Sequence, residues 1–512
     1  MGLCALALWL FVNFRLLSWG ELLDRANLGL KQCRLISNNS MENRFSIRAG
    51  FIVVSLFAAL TCRAETPPNV IYILADDLGY AEVGYNGQEK IQTPELDTMA
   101  SQGMRFTNHY CGNSVCAPSR CSLMTGKHPG HAYIRSNSPT YPDGQTPLLE
   151  GTETVGRLMQ RAGYKTAVIG KWGLGSVWDS GNPNKQGFDY FFGYTDQRLA
   201  HNYYPEYLWR NSEKVILDNG NGKENDYSHD LFTLEALQFI DENGAHPFFL
   251  YLAYTIPHLA YQVPDLAQYE EMDWPSKMKI HAAMTSRMDR DIGVIKRRLE
   301  TLGLAEKTLI IFSSDNGAHG QHGSLDFFHN SGELRGKKRD MYEGGVRSPT
   351  IAYWPGHVRA GSVSDHLSAF WDLLPTLSEL TGEPIQGETD GISILPTLLG
   401  DEQDQKEHAY LYWELYEGSP NQAIRIGKWK GIVADRREGT NIELYDLTAD
   451  VSEQADVAST HPDVVDQIDK ALKQAHVPNP YWAKDNVPLY NVQAACEVNA
   501  VKPPATESEE SH

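Results

Sequence analysis

At 512 residues, the chain is long enough for one large α/β core plus a smaller second unit, because single hydrophobic cores stop growing near about 250 to 300 residues. Its formal charge of −20 argues against nucleic acid and anionic membrane surfaces as partners, since both depend on accumulated positive charge. An anionic ligand would have to be attracted locally.

Taken in chain order, two apolar stretches come first, 3–12 and 51–60, and neither reaches the ~20 residues of a membrane-spanning helix. The second has Arg44 and Arg48 on its basic side and small Ala64 before Glu65, the layout of a signal peptide. Export, to a periplasm or out of the cell, through a leader at residues 41–64 is the expectation. Met41 is then a candidate start, with the first 40 residues a misassigned extension. A membrane-anchored form is the competing reading. Lipid attachment at Cys62 is weaker, because Leu60 and Thr61 fit a lipidation box poorly.

From residue 69 the pattern becomes apolar run, loop, helix, next run, which predicts a large, mostly parallel mixed sheet sandwiched by helices. Strands are expected over Asn69–Ala75, Lys165–Ile169, Phe248–Tyr254 and Thr308–Ser313. Helices are expected from Thr93–Pro94 to Ala100, and over Thr152–Arg161, Ser228–Asp241 and Lys277–Leu302. Beyond about residue 400 short alternating segments appear (Tyr410–Trp413, Ala423–Ile426, Trp429–Ile432, Ile442–Tyr445), followed by a helix at Pro462–Ala475. They read as a smaller antiparallel-sheet domain. The expected organisation is an extension and leader at 1–64, a large domain at 66–400, the small sheet with its helix at 401–482 and an extended tail at 483–512.

The polar residues that follow the four strands are Asp76-Asp77, Lys171, His258 and Asp315-Asn316. Open α/β sheets bind ligands at the carboxyl ends of their strands. Two acidic residues after one strand usually cap a turn. With Asp315 and Asn316 at a second strand end, four oxygen donors converge and would repel one another without a cation. An all-oxygen set suits Ca²⁺, with Mg²⁺ as the alternative, rather than zinc.

If the leader is removed, the remaining cysteines are Cys111, Cys116, Cys121 and Cys496. The four-residue gaps among the first three, one holding Pro118, do not fit paired zinc ligands. Cys111 and Cys121 are available to pair as a disulfide in an export compartment, although connectivity does not follow from sequence.

The string from Ser114 to Gly126, Ser-Val-Cys-Ala-Pro-Ser-Arg-Cys-Ser-Leu-Met-Thr-Gly, closely resembles the signature of type I sulfatases, Cys-x-Pro-Ser-Arg followed by Thr-Gly, in which the cysteine is oxidised to formylglycine. Gly163-Tyr164-Lys165-Thr166 through Gly170-Lys171-Trp172 matches the second signature, and Leu334-Arg335-Gly336 through Tyr342-Glu343-Gly344-Gly345 a further segment. The resemblance spans roughly residues 66–480. It implies an alkaline-phosphatase-like fold with its catalytic domain at 66–400. It also implies Asp76, Asp77, Asp315 and Asn316 as metal ligands together with the group at Cys116, and Arg120 as support for the formylglycine. Lys171, His258 and Lys338 would bind sulfate, and His258 or Lys338 would protonate the leaving oxygen. A formylglycine-generating enzyme would be a partner during maturation.

The chemistry fits these residue types. A sulfate monoester repels ordinary nucleophiles, and a metal plus two lysines cancel that repulsion. A hydrated aldehyde supplies an oxygen nucleophile and then releases sulfate by carbon–oxygen cleavage, a route closed to serine or unmodified cysteine.

In one place the chain departs from the family. The histidine common two positions after the second signature's lysine is here Gly173. His201 or His319 is the candidate replacement, beside an ordinary loop role for each, and His201 is then also a substrate-binding candidate. The basic run Arg335, Lys337, Lys338, Arg339 would supply local positive field if it is more than a solvated loop. Tyr203, Tyr204, Tyr207 and Trp209 would stack on sugar rings if they are not simply core.

The expectation is therefore hydrolysis of sulfate esters, on sulfated carbohydrate or small aryl sulfates. A phosphodiesterase or phosphonate hydrolase of the same superfamily and a non-catalytic sulfated-glycan-binding protein are the rivals. A serine hydrolase is disfavoured because no Gly-x-Ser-x-Gly elbow occurs. Oligomeric state stays open.

Overall fold

The computed structural model describes residues 67–417, 421–433, 441–479 and 481–482. The expected leader, Cys62, Cys496 and the tail lie outside them. Strand β1, Asn69–Asp76, is buried along its whole length, as an uninterrupted apolar run requires when helices cover both faces of a sheet. Alternate residues serve opposite faces: Tyr72 and Leu74 join one core, Ile71, Ile73 and Ala75 the other, following the two-residue period of a strand.

Nine further strands complete the sheet: β2 Met104–Phe106, β3 Lys165–Lys171, β4 Tyr190–Tyr194, β5 Tyr207–Arg210, β6 Glu213–Ile216, β7 Phe248–Pro257, β8 Thr308–Ser314, β9 Thr350–Tyr353 and β10 Ser362–Ser364. Their order is β10-β2-β9-β8-β1-β7-β3-β4-β5-β6. The central run β8-β1-β7-β3-β4 is parallel. Antiparallel pairs flank it on both sides. The carboxyl ends of β1, β3, β7 and β8 thus lie side by side.

Helices α1 (Pro94–Gln102), α4 (Ser228–Asn243) and α5 (Ser276–Thr301) pack on one face. On the other lie α2 (Cys116–Thr125), α3 (Val155–Arg161) and α6 (Leu373–Thr381). The expected start of α3 at Thr152 moves to Val155 because Thr154 is its N-cap, its hydroxyl accepting from Arg157 N at 3.1 Å. Thr93 makes no such bond for α1. There the cap is tertiary: Asp289, from α5, accepts from the backbone nitrogens of Glu95 and Leu96 at 3.1 and 2.8 Å.

The small antiparallel sheet, β11 Leu411–Leu415, β12 Asn421–Ile426, β13 Trp429–Val433 and β14 Glu443–Asp446, is consecutive in order. Helix α7, Pro462–Ala475, covers one face through Ile468 and Leu472. The opposite face, with Trp413, Ala423 and Ile432, joins the core beneath α2. Trp413 Nε1 donates to Cys111 O at 3.0 Å, and Asn113 Nδ2 to Glu414 O at 2.8 Å. The sheet therefore grips the loop that leads into α2.

Two expectations are corrected. Cys111 and Cys121 are free, buried thiols rather than a disulfide, and the single S–H of Cys111 has Asn113 O and Val346 O in reach, at 3.0 and 3.1 Å. The aromatic stretch is core rather than a sugar platform: Tyr203, Tyr204 and Trp209 are buried, and half-buried Tyr207 gives its hydroxyl to Asp143 at 2.5 Å. Among the described residues no helix is long and apolar enough to cross a membrane.

Candidate active site

Four strand ends and the start of one helix build the site. Asp76 ends β1, and Asp77 follows in the left-handed region at φ 64°, a conformation that costs most side chains but suits Asp better than bulkier residues. Asp77 is held there by its backbone N–H, which donates to Asp315 Oδ1 at 3.1 Å. Gly317 lets the segment after β8 come close, since a Cβ there would sit 1.9 Å from Gly344 O. The paired glycines of the Tyr342–Gly345 segment are required by other contacts, since a Cβ would sit 2.3 Å from Gly336 O at Gly344 and 2.1 Å from Asp340 O at Gly345.

Cys116 opens α2 and is 1% exposed. Its Sγ lies 3.4 Å from Asp76 Oδ1 and 3.8 Å from Asp77 Oδ1. Lys171 Nζ, at the end of β3, donates to Asp76 Oδ2 at 2.6 Å. Lys338 Nζ donates to both Asp77 oxygens at 2.7 and 2.8 Å and sits 3.4 Å from Cys116 Sγ. Arg120, one turn along α2, is fully buried. Its Nε and Nη2 donate to Asp315 Oδ2 at 3.0 and 2.8 Å, and its Nη1 to Lys171 O at 2.7 Å. All these expected residues meet in one place.

His258 follows β7. Its Nδ1 faces Leu259 O at 2.6 Å, and because a carbonyl only accepts, the proton sits on Nδ1. Nε2 is then the acceptor, 3.3 Å from Lys338 Nζ. Tyr203 steadies this corner, its single hydroxyl proton within reach of the carbonyls of Thr255 and His258, whose oxygens lie 2.5 and 2.8 Å away. The sequence held no signal for that role beyond the Tyr-rich stretch. His201 stacks on His258 with ring centroids 4.3 Å apart at 17°, and His319 meets it edge-on at 6.1 Å. Both histidines weighed against Gly173 therefore flank His258. Gly173 itself is left-handed at φ 72°, and a Cβ there would come within 3.0 Å of Gln197 Nε2.

Of the basic run, only Lys338 turns inward. Arg335 lies over the Tyr342 ring at 3.7 Å and donates to Glu453 O at 2.8 Å. Arg339 pairs with Glu417 at 2.7 Å, and Lys337 is exposed.

Electrostatics follow from crowding in a buried space. Burial raises every carboxyl here, but Lys171, His258, Arg120 and Lys338 outweigh it at Asp76, which is held well below the ordinary range. Asp77 is likewise lowered, by Lys338 and His258 against burial. Asp315 is pushed up to about 6 by burial and by Asp76, with Arg120 opposing. Burial, with Lys338 nearby, pushes His258 down to about 3 against the pull of Asp77, so its imidazole is neutral. Burial and the Asp315 charge push the Cys116 thiol well up. A protonated thiol is a poor nucleophile.

The donor set fits a hard cation. Asn316 Nδ2 donates to Asp77 Oδ1 at 2.7 Å, whereas Asn316 Oδ1 is buried without any hydrogen-bond partner. An orphaned acceptor costs about 1–3 kcal/mol, and beside three carboxylates it suits an oxygen-seeking ion. Ligand atoms of Asp76, Asp77, Cys116 and His258 lie within 4.8 Å of one another. His128, His131 and Asp390 form a second trio within the same distance. There, however, Gly130 N donates to His128 Nδ1 at 3.1 Å, which puts the ring proton on Nε2 and leaves that nitrogen no lone pair.

The comparisons agree with this geometry. The chain matches the Sulfatase family over residues 68–383 and the N-sulphoglucosamine sulphohydrolase C-terminal family over residues 335–477. It is 31% identical over 412 residues to N-acetylgalactosamine-6-sulfatase of Mus musculus, with 74% of each chain covered. It is 32% identical over 418 residues to arylsulfatase A of Homo sapiens, covering 74% of this chain and 77% of that one. Among solved structures, Ps i-CgsB in complex with k-i-k-neocarrahexaose is similar at a TM-score of 0.71 and 30% identity, over 80% of this chain and 92% of that one. This chain belongs to the sulfatase family and is a sulfuric ester hydrolase.

Proposed function

We propose that the chain removes sulfate from sulfated carbohydrate, with small aryl sulfates as surrogate substrates, using formylglycine formed from Cys116 beside a divalent cation. The observation that carries this reading is the meeting of Cys116 Sγ and Lys338 Nζ, 3.4 Å apart, over Asp76 and Asp77 in a buried pocket of balanced charge. The names of the relatives, a galactosamine sulfatase and a carrahexaose complex, favour a sugar substrate.

Asp76, Asp77, Asp315 and Asn316 would hold Ca²⁺ or Mg²⁺, which draws charge from the sulfate oxygens. Formylglycine at position 116, once formed, supplies the oxygen nucleophile that a protonated thiol cannot. Lys171 and Lys338 each carry three donors, so both can bind sulfate oxygens while still bonded to Asp76 and Asp77. Arg120 holds Asp315 and the end of β3 in register, fixing the floor on which the ester sits. With His258 neutral, Lys338 is the group that carries a proton to the departing oxygen, and His258 Nε2 orients it. Export through the 41–64 leader belongs to the same proposal, and sequencing the N-terminus of the mature product tests it.

The deciding experiment is mass spectrometry across Cys116 on protein co-expressed with a formylglycine-generating enzyme, paired with assays on an aryl sulfate and on sulfated oligosaccharides. Formylglycine with turnover supports the proposal. Formylglycine without turnover of either substrate class overturns it, and so does turnover by protein whose Cys116 is unmodified.

A further inference from the structure

The carboxyl edge of the sheet holds one more donor that no described residue satisfies. Strand β4 lies beside β3 in parallel register, with Lys171 opposite Tyr194. Each strand continues into a loop, and Trp172 N donates to Tyr194 O at 2.9 Å, so the two loops leave the sheet together. Two residues past Lys171 comes Gly173, and three past Tyr194 comes Gln197. Gly173 has no side chain and a left-handed φ of 72°, and the place its Cβ would take is 3.0 Å from Gln197 Nε2. Gln197 is 5% exposed, and its Nε2 is buried without a hydrogen-bond partner.

A buried amide nitrogen without an acceptor is a standing cost to the fold. A bound ligand is one way such a group finds its missing partner. Here the neighbours are functional. Lys171 is two residues from Gly173, and the turn after Gln197 delivers His201 onto the His258 ring at 4.3 Å. His201 is tied there by Ala260 N, which donates to its carbonyl at 2.9 Å. An NH₂ group offers only donors, so the ligand atom it awaits is an acceptor. The acceptors that this site's chemistry brings in are sulfate oxygens.

We propose that Gln197 is a substrate-contacting residue whose side-chain amide donates to a sulfate oxygen, in the space left open by Gly173. This inference rests on the sulfatase site described above. It adds a neutral donor to the charged ones, on the side of the site that carries Lys171 and His201.

The test is calorimetric titration of inorganic sulfate into the full-length, Cys116-converted protein with Ca²⁺ present, for wild type, Gln197→Met and Gln197→Glu, with thermal unfolding of each. Methionine keeps the length and removes the donor. Sulfate affinity is expected to fall about 10- to 100-fold in Gln197→Met, the range of a lost hydrogen bond to a charged partner. It should fall further in Gln197→Glu, where a carboxylate faces the anion. The unfolding midpoint of Gln197→Met should stay level or rise, because an unsatisfied buried donor has been removed. Unchanged sulfate affinity in Gln197→Met overturns the inference, and so does a lowered midpoint, which marks a structural role. Failure of the wild type itself to bind sulfate overturns the underlying site reading, and the two failures are therefore distinct.

Discussion

Lys338 Nζ contacts both carboxylate oxygens of Asp77, at 2.7 and 2.8 Å. Asp77 keeps that amine charged: its carboxylate outweighs burial and raises Lys338 above the usual lysine range. An ammonium held this way donates without losing its charge until an oxygen beside it becomes strongly basic. Lys338→Ala should therefore lower kcat/KM by about 10²- to 10³-fold, as loss of a preorganised donor does. The loss should be larger for a sugar sulfate, whose alkoxide needs a proton, than for 4-nitrophenyl sulfate, whose phenolate does not. Steady-state kinetics on both substrates check this, and equal losses would remove Lys338 from the proton-donating role.

Asn316 Oδ1 is a buried acceptor without a donor among the described residues, so Asn316→Ala should weaken Ca²⁺ binding by at least about tenfold. Chelation of the cation from the wild type should lower its unfolding midpoint, since an ion bound only by the folded state stabilises it by mass action. Calorimetry and thermal scans with and without chelator measure both. A midpoint that chelation does not move would argue against a cation at Asp76, Asp77, Asp315 and Asn316.

Tyr203 is fully buried, with two backbone carbonyls in reach of its hydroxyl. Tyr203→Phe should cost about 1–3 kcal/mol of stability, the range for leaving a buried acceptor unsatisfied. Because one of those carbonyls belongs to His258, kcat should fall as well. Urea denaturation and kcat on the same preparation check the pair of effects.

His109, buried with its Nδ1 2.9 Å from Ser368 Oγ, supplies a pH dependence well away from the proposed cation ligands. Burial holds its imidazole down at about 4, against the pull of Asp372. The unfolded chain takes up that proton near 6.5. Stability from neutral His109 is thus complete above about pH 6.5 and is lost as pH falls towards about 4, by roughly 3 kcal/mol over the window. His109→Gln should flatten this part of the acid limb, as urea denaturation at pH 7 and pH 4.5 would show.

Much of this was legible in the chain because local pattern carried it. Runs such as Asn69–Asp76 announce strands covered on both faces, and the polar residues after them mark the functional edge of the sheet. What stayed hidden depends on distant partners. The cap of α1 comes from Asp289 in α5, which no local motif near Thr93 reveals. For Tyr203 the sequence left core and sugar platform both open, because an aromatic run has the same composition whether it faces solvent or core; its burial is decided by β4, β7 and α4 around it. Cys111 and Cys121 stand close in sequence and share one core, yet both thiols are free, that of Cys111 being turned to the Val346 carbonyl. Gln197 belongs to no motif, and only the fold shows that its amide lacks a partner.

The burial of Cys116, at 1% exposure, also sets an order of events in the life of the molecule. A second protein that acts on this thiol cannot reach it once β1, β8 and α2 have closed around it. On the mechanism proposed above, conversion of Cys116 would have to precede the assembly of the strands to either side. Chains that fold first are closed to it, and adding the modifying enzyme afterwards would recover little. If Cys116 is converted in this way, the active fraction in a preparation would be set by a race between folding and modification, and the host that makes the chain would matter as much as the gene it is given.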